Sequence, residues 1–225
     1  MSQWHIPLDI DSILQAQGAD PQSIRMQSPR LLHIAEQALM EAKPLLHPQV
    51  YLKRLKVLDQ DAQELFLHDG GMLTGPLIAE RLSSATEIVA VLCTIGPELE
   101  KRSTELMPMH TMRALALDGA GSAAVEILCN AACSSVEKQA RSEQLHISMP
   151  FFPGMHGWPI EVGQDQLFNL WDEPLDIMLT PSYMMVPRKS LSMVVGLGKR
   201  PFQSGSSCNL CSSSQTCRYR DLHAQ

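Results

Sequence analysis

The stretch over residues 112–141 constrains this chain more than any other. It reads as one long helix built around Asp118-Gly-Ala-Gly-Ser-Ala-Ala-Val-Glu126. A glycine in a helix interior costs about 1 kcal/mol relative to alanine, so Gly119 and Gly121 call for compensation. Either another helix or the sheet packs closely on the bare backbone, or a ligand or partner lies against it. The chain has enough material for a full core: 225 residues, 44% hydrophobic and 19% charged, hold one large domain or two small ones. Thirteen methionines and 5% aromatic content point to a pliable, gap-filled interior.

Around that helix the pattern is mixed. Residues 9–17 read as a short helix with Ile10, Ile13 and Leu14 on one face and Gly18 as its stop. Ser28-Pro29 opens a second, since serine caps a helix and proline is pre-set for its first turn. Leu31, Leu32, Ile34, Ala35, Ala38 and Leu39 keep helical spacing until Pro44. Residues 50–58 and Glu64–Leu67 read as strands, His68-Asp69-Gly70-Gly71 as a turn and residues 77–82 as a short helix. Glu87–Thr94 is a buried strand with a nearly continuous apolar run. Gly96-Pro97 ends it, and a helix follows to about residue 106. Beyond the long helix, Pro150-Phe-Phe-Pro-Gly-Met-His-Gly-Trp-Pro159 is a rigid loop. Residues 164–171 predict a helix, 176–180 and 190–197 strands, and 181–189 their connection. Composition shifts only from about Pro201, which predicts one domain over residues 1–200 and a tail over 201–225.

The formal charge of −6 argues against a broad phosphate-binding face and so against nucleic acid as a partner. No apolar run approaches a membrane span. Met1-Ser-Gln-Trp-His lacks the basic and apolar regions of a signal peptide, which predicts a cytoplasmic protein with its six cysteines reduced.

Those conditions favour metal over disulfide for the tail. Cys208-Asn-Leu-Cys211 and Cys217 stand in a segment of Gly, Ser, Gln and Arg that cannot build a core. A two-residue gap lets both sulfurs turn onto one ion, so Cys208, Cys211 and Cys217 are candidate metal ligands. An iron–sulfur cluster with a fourth ligand from elsewhere or left open is one reading, and Cys93 is a candidate for that ligand. Zinc, with His223 completing a Cys3His set, is another, and no metal at all is a third. Cys129 and Cys133, four apart on the long helix, read as core residues, and Trp158 as a core anchor.

Four stretches, in order, resemble one family: the reactivation domain of cobalamin-dependent methionine synthase, in free-standing form. They are Cys93-Thr-Ile-Gly-Pro-Glu-Leu-Glu100, Leu117-Asp-Gly-Ala-Gly-Ser-Ala-Ala-Val-Glu126, Pro153-Gly-Met-His-Gly-Trp-Pro159 and Leu179-Thr-Pro-Ser-Tyr-Met-Met-Val-Pro-Arg-Lys-Ser-Leu-Ser192. The resemblance implies an α+β fold, with a twisted, largely antiparallel sheet flanked by helices and the cysteine-rich tail added. It implies work around corrinoid methyl transfer, in which cob(I) occasionally loses an electron and stalls as cob(II). The family's domain docks on the corrinoid module, binds S-adenosylmethionine, and allows an external electron to regenerate cob(I).

Carried over by position, the resemblance places Glu126, Pro153, Gly154, Met155, His156, Thr180 and Ser182 at the cofactor site. The family's Arg-x-x-Pro-Gly-Tyr loop has Pro150 at the arginine and Met155 at the tyrosine here, and its Thr-Glu-Ser acid is Pro181. Proline cannot imitate a guanidinium's forked grip on a carboxylate. Unless Arg188 or Lys189 substitutes, S-adenosylmethionine is expected to bind weakly or not at all. The resulting expectation is an accessory protein that docks to a corrinoid protein or corrinoid methyltransferase and assists reductive reactivation of its cobalt. The alternatives are a methyltransferase subunit that binds S-adenosylmethionine or corrinoid itself, and a non-catalytic, zinc-tailed interaction module.

Overall fold

Short polar residues set the first helices. The Asp9 carboxylate accepts from Ser12 N at 2.8 Å and starts α1 (Ile10–Ala16), which buries Ile13 and Leu14. Asp20 does the same for Ser23 N at 3.0 Å and starts α2 (Pro21–Gln27) with proline in the first turn. The sequence pattern assigns nothing to α2, which carries few apolar residues. Next comes α3 (Pro29–Ala42), although the Ser28 side chain makes no capping bond. Its innermost residues are Ala35, Ala38 and Ala42 rather than the larger leucines.

The computed structural model describes residues 4–205, 210 and 215–216. By internal packing the chain divides into one unit of Met1–Gln49, Cys93–Ala131 and Met185–Leu191, and another of Val50–Leu92, Ala132–Met184 and Ser192–Gln225.

The first unit is helical. With α1–α3 it holds α5 (Glu98–Leu106) and most of α6 (Thr111–Ser142), the long helix read from the sequence. Buried Ser103 of α5 donates its hydroxyl to the Ala114 carbonyl of α6 at 2.9 Å. Glu41 of α3 accepts from Arg102 Nε at 2.8 Å and from Arg113 Nε at 2.9 Å, tying three helices at one carboxylate. Burial works against that charge, but the two guanidinium hydrogen bonds outweigh it and hold the Glu41 carboxyl below its ordinary pKa. The bare backbone at Gly119 and Gly121 lies against neighbouring residues. A side chain at Gly119 would meet Gln17 and the Ile13 carbonyl of α1, and one at Gly121 would meet Leu99 and Lys189.

The second unit is built on the sheet. The strands are β1 (Gln49–Gln60), β2 (Glu64–Leu67), β3 (Met72–Thr74), β4 (Glu87–Thr94), β5 (His146–Ile147) and β8 (Ser190–Gly198), in the order β3-β2-β1-β4-β8-β5. The sheet is antiparallel: Leu65 faces Leu73, Leu65 also faces Gln60, and Ile147 faces Leu197. A bulge interrupts β1 between Val57 and Asp59. β4 is buried from Ile88 to Thr94, matching its apolar run. β7 (Met185–Val186) falls within the first unit, and β6 (Met178–Leu179) lies in this one. The unit also holds α4 (Pro76–Arg81) and α7 (Ile160–Phe168), and its core gathers Leu65, Leu73, Ile78, Leu82, Phe151 and Trp158.

Three expectations need correction here. The helix expected at 164–171 starts four residues earlier, at Ile160, because Pro159 opens it. The strand expected at 176–180 keeps only Met178–Leu179, since Asp176 binds Tyr51 through both its carboxylate and its backbone N–H. The connection at 181–189 contains β7, and the short strands β3 and β5 lie where none was expected.

Candidate functional site

Within the second unit, the Pro150–Pro159 segment is a folded platform rather than an open strap. Gly154 and Gly157 adopt φ of 95° and 86°, conformations that favour glycine, and reverse the chain twice. Gly154 N donates to the Trp158 carbonyl and Trp158 N to that of Met155, both at 2.9 Å. These reversals sort the side chains. Met155 and Trp158 turn into the core, and His156 points outward and exposed. Trp158 is the core anchor its sequence context implied.

Trp158 is held on its polar edge as well. Its indole N–H donates to Gln166 Oε1 at 3.1 Å, which also accepts from Thr74 N at 3.1 Å. The Gln166 amide in turn donates to the Thr74 hydroxyl at 2.6 Å. Glycines allow the close approaches: at Gly163 a side chain would strike Pro153 and Trp158, and at Gly75 the Gly157 carbonyl. Gln166, Thr74 and Gly75 were not singled out by the sequence. A lone glutamine on a short helix carries no signal until Trp158 is placed beside it.

Leu210, which stands between two tail cysteines in sequence, touches this platform. His156 N donates to the Leu210 carbonyl at 2.9 Å, and the Leu210 side chain packs partly buried on the core of the second unit. Cys208, Cys211, Cys217 and His223 themselves lie outside the described residues. Among the described residues no group of three or more His, Cys, Asp or Glu is arranged to hold a metal ion.

Thr180 and Ser182 sit together in the turn between β6 and β7. Their hydroxyls are 3.0 Å apart, and the Thr180 hydroxyl also accepts from Met184 N at 3.1 Å. Tyr183 takes φ of 59° at the tip.

Glu126 belongs to the first unit, half-buried on α6. In that unit Cys93 and Cys129 are buried and share a thiol hydrogen bond, which together with burial and the nearby Glu126 pushes the Cys129 pKa far up. Cys93, the candidate extra cluster ligand, is thus committed to a thiol pair. Lys189 is also committed: its ammonium lies 2.9 Å from Asp118 and donates to the Ser122 hydroxyl at 2.8 Å. Arg188 donates its backbone N–H to Glu100 at 2.8 Å, with its Nε 3.8 Å from the same carboxylate oxygen.

None of the helices in the described residues is long and apolar enough to cross a membrane. No family model matches this chain, and no curated protein matches it in sequence. Among solved structures it is similar to the MetH reactivation domain bound to AdoHcy, at 14% sequence identity and a TM-score of 0.64, over 84% of this chain and 73% of that one. The α+β architecture, a curled antiparallel sheet with helices, is that of the MetH reactivation domain.

Proposed function

We propose that this protein is an accessory of corrinoid-dependent methyl transfer. It docks on a separate corrinoid protein or corrinoid methyltransferase and assists the one-electron reduction of cobalt stalled as cob(II) to cob(I). The observation that carries this reading is the fold, shared over 84% of the chain with the reactivation domain of MetH. The four ordered motifs, which resemble that family, support it from the sequence side.

In this reading residues 1–200 are the docking domain and 201–225 the electron-carrying tail. Cys208, Cys211 and Cys217 hold an iron–sulfur cluster, which when bound supplies a low-potential electron. Leu210 on the Pro153–His156 loop supports a tail that works beside this platform. The loop, with Thr180 and Ser182, forms the face offered to the partner, and Glu126 belongs to the pocket that the resemblance implies. S-adenosylmethionine is expected to bind weakly or not at all unless Arg188 takes the place of the missing arginine. Pro150 stands where the carboxylate-gripping arginine belongs, and Lys189 is bound to Asp118 and Ser122.

Metal and sulfide analysis of protein purified without oxygen tests the proposal. About four irons and four sulfides per chain are expected, with visible absorbance bleached by dithionite. Cys208→Ser or Cys211→Ser should abolish metal uptake and leave the circular dichroism spectrum unchanged. A colourless protein with a single zinc would remove the electron-carrying role and leave a zinc-tailed docking module.

A further inference from the structure

The first unit contains a concavity that no residue of the proposed site lines. It measures about 890 Å³ and is bounded by the N-terminal arm from Trp4 to Leu8 and by Lys43 and Leu46–Gln49 at the end of α3. Small-ligand sites fall in this size range.

The lining is one-sided in charge. Lys43, His5 and His47 face the space, and no carboxylate does, in a chain whose formal charge is −6. Among the described residues none of these three side chains makes a hydrogen bond or ion pair with protein. The acids closest in sequence are engaged elsewhere. Glu41, two residues before Lys43, is held by Arg102 and Arg113. Asp9, which follows Leu8, caps α1 through Ser12, and Asp11 pairs with Arg25. The Lys43 ammonium therefore has no carboxylate partner among the described residues, and His5 and His47 offer ring nitrogens beside it.

Its walls are flat and stiff. Trp4 gives an aromatic surface, and Pro7 and Pro48 fix the backbone on either side. His47 is set by its backbone, whose N–H donates to the Ile95 carbonyl at 2.9 Å. Gly96, at φ of 79°, leaves room for it: a side chain there would come within 3.0 Å of the His47 Cβ.

We propose that this groove binds a small organic anion carrying a planar ring. The anionic group lies among Lys43, His5 and His47, and the ring lies on Trp4 between Pro7 and Pro48. The proposal is independent of the corrinoid reading, since it uses none of the individual side chains given a role there.

Calorimetry on the full chain tests it with three probes: phenyl phosphate, inorganic phosphate and phenol. Phenyl phosphate should bind at least about tenfold more tightly than either fragment, because only it engages both halves of the groove. Lys43→Met and His47→Gln should each weaken phenyl phosphate about tenfold, while Trp4→Ala should reduce its affinity to that of inorganic phosphate. Lys43 and His47 are exposed, so melting curves should confirm that both variants fold. Either of them suffices if the other does not. The proposal is overturned if phenyl phosphate fails to bind, binds no more tightly than phenol or inorganic phosphate, or keeps its affinity in a folded Lys43 or His47 variant.

Discussion

Alanine at Gly121 and at Gly119 should move stability in opposite directions, although the two positions are two residues apart on the same helix. Each substitution gains about 1 kcal/mol of helix propensity. At Gly119 the added methyl meets Gln17 Cγ at 2.6 Å, but Gln17 is exposed at the end of α1 and can rotate away. Most of the gain is kept, leaving the variant more stable by about 0.5–1 kcal/mol. At Gly121 the methyl lies 2.7 Å from Leu99 Cδ2 and 3.2 Å from Lys189 Cε. Leu99 is fully buried and has no solvent to move into. Overpacking of that kind costs about 1–3 kcal/mol, which exceeds the propensity gain and leaves a net loss of about 1 kcal/mol. The two variants should therefore differ by about 2 kcal/mol, or about 4–8 °C in Tm for a chain of this size. Thermal melts followed by circular dichroism, checked by urea unfolding, measure the gap. If the bare backbone served a ligand rather than its neighbours, both alanines would raise Tm alike. That result, or a Gly121→Ala variant more stable than Gly119→Ala, would refute the packing argument.

Glu41→Gln should destabilise the protein at neutral pH by replacing the charge-assisted bonds from Arg102 and Arg113. The folded-state pKa of Glu41 is lowered, so its contribution is complete above the unfolded value of about 4.3 and is lost as pH falls through the folded value. The wild-type and variant urea midpoints should accordingly converge in acid; a constant gap at every pH would contradict this. Gly75→Ala, at φ of 138° with the Gly157 carbonyl 2.8 Å from the new methyl, should cost about 3 kcal/mol in equilibrium denaturation. Gln166→Leu strands the Trp158 indole N–H and the Thr74 backbone N–H, removes the donor to the Thr74 hydroxyl, and should cost about 1–3 kcal/mol. A tryptophan fluorescence change at the same midpoint would place the loss at Trp158, and an unchanged midpoint would rule out the tie.

Elements with a long local pattern were legible in the sequence. The apolar run of Glu87–Thr94 gave β4 at its observed limits, and the alanine-rich stretch gave α6 to within a residue at each end. Two-residue β5 and three-residue β3 were not, because neither is long enough to show a period of two, and each exists through its partner strand. The β6 boundary depended on Tyr51 reaching Asp176 from 125 residues away, which no local window contains. In the platform loop, the sequence marked the turn formers but not the directions. Gly154 and Gly157 at positive φ set the reversals that leave Met155 inward and His156 outward. For Gly119 and Gly121, the sequence showed that something must lie close and left its identity open, which Gln17, Leu99 and Lys189 supply.

The buried Cys93–Cys129 pair simplifies the chemistry of the remaining thiols. Alkylating reagents attack thiolates, and these two sulfurs are shielded, with Cys129 held protonated by its partner and by burial. Cys133, half-buried with its sulfur 3.4 Å from Met193 Sδ, is the one other thiol among the described residues. A maleimide count on the folded protein therefore excludes Cys93 and Cys129 from the outset. Any titre that disappears when metal is loaded and returns with a chelator can be assigned to the tail without removing a single cysteine.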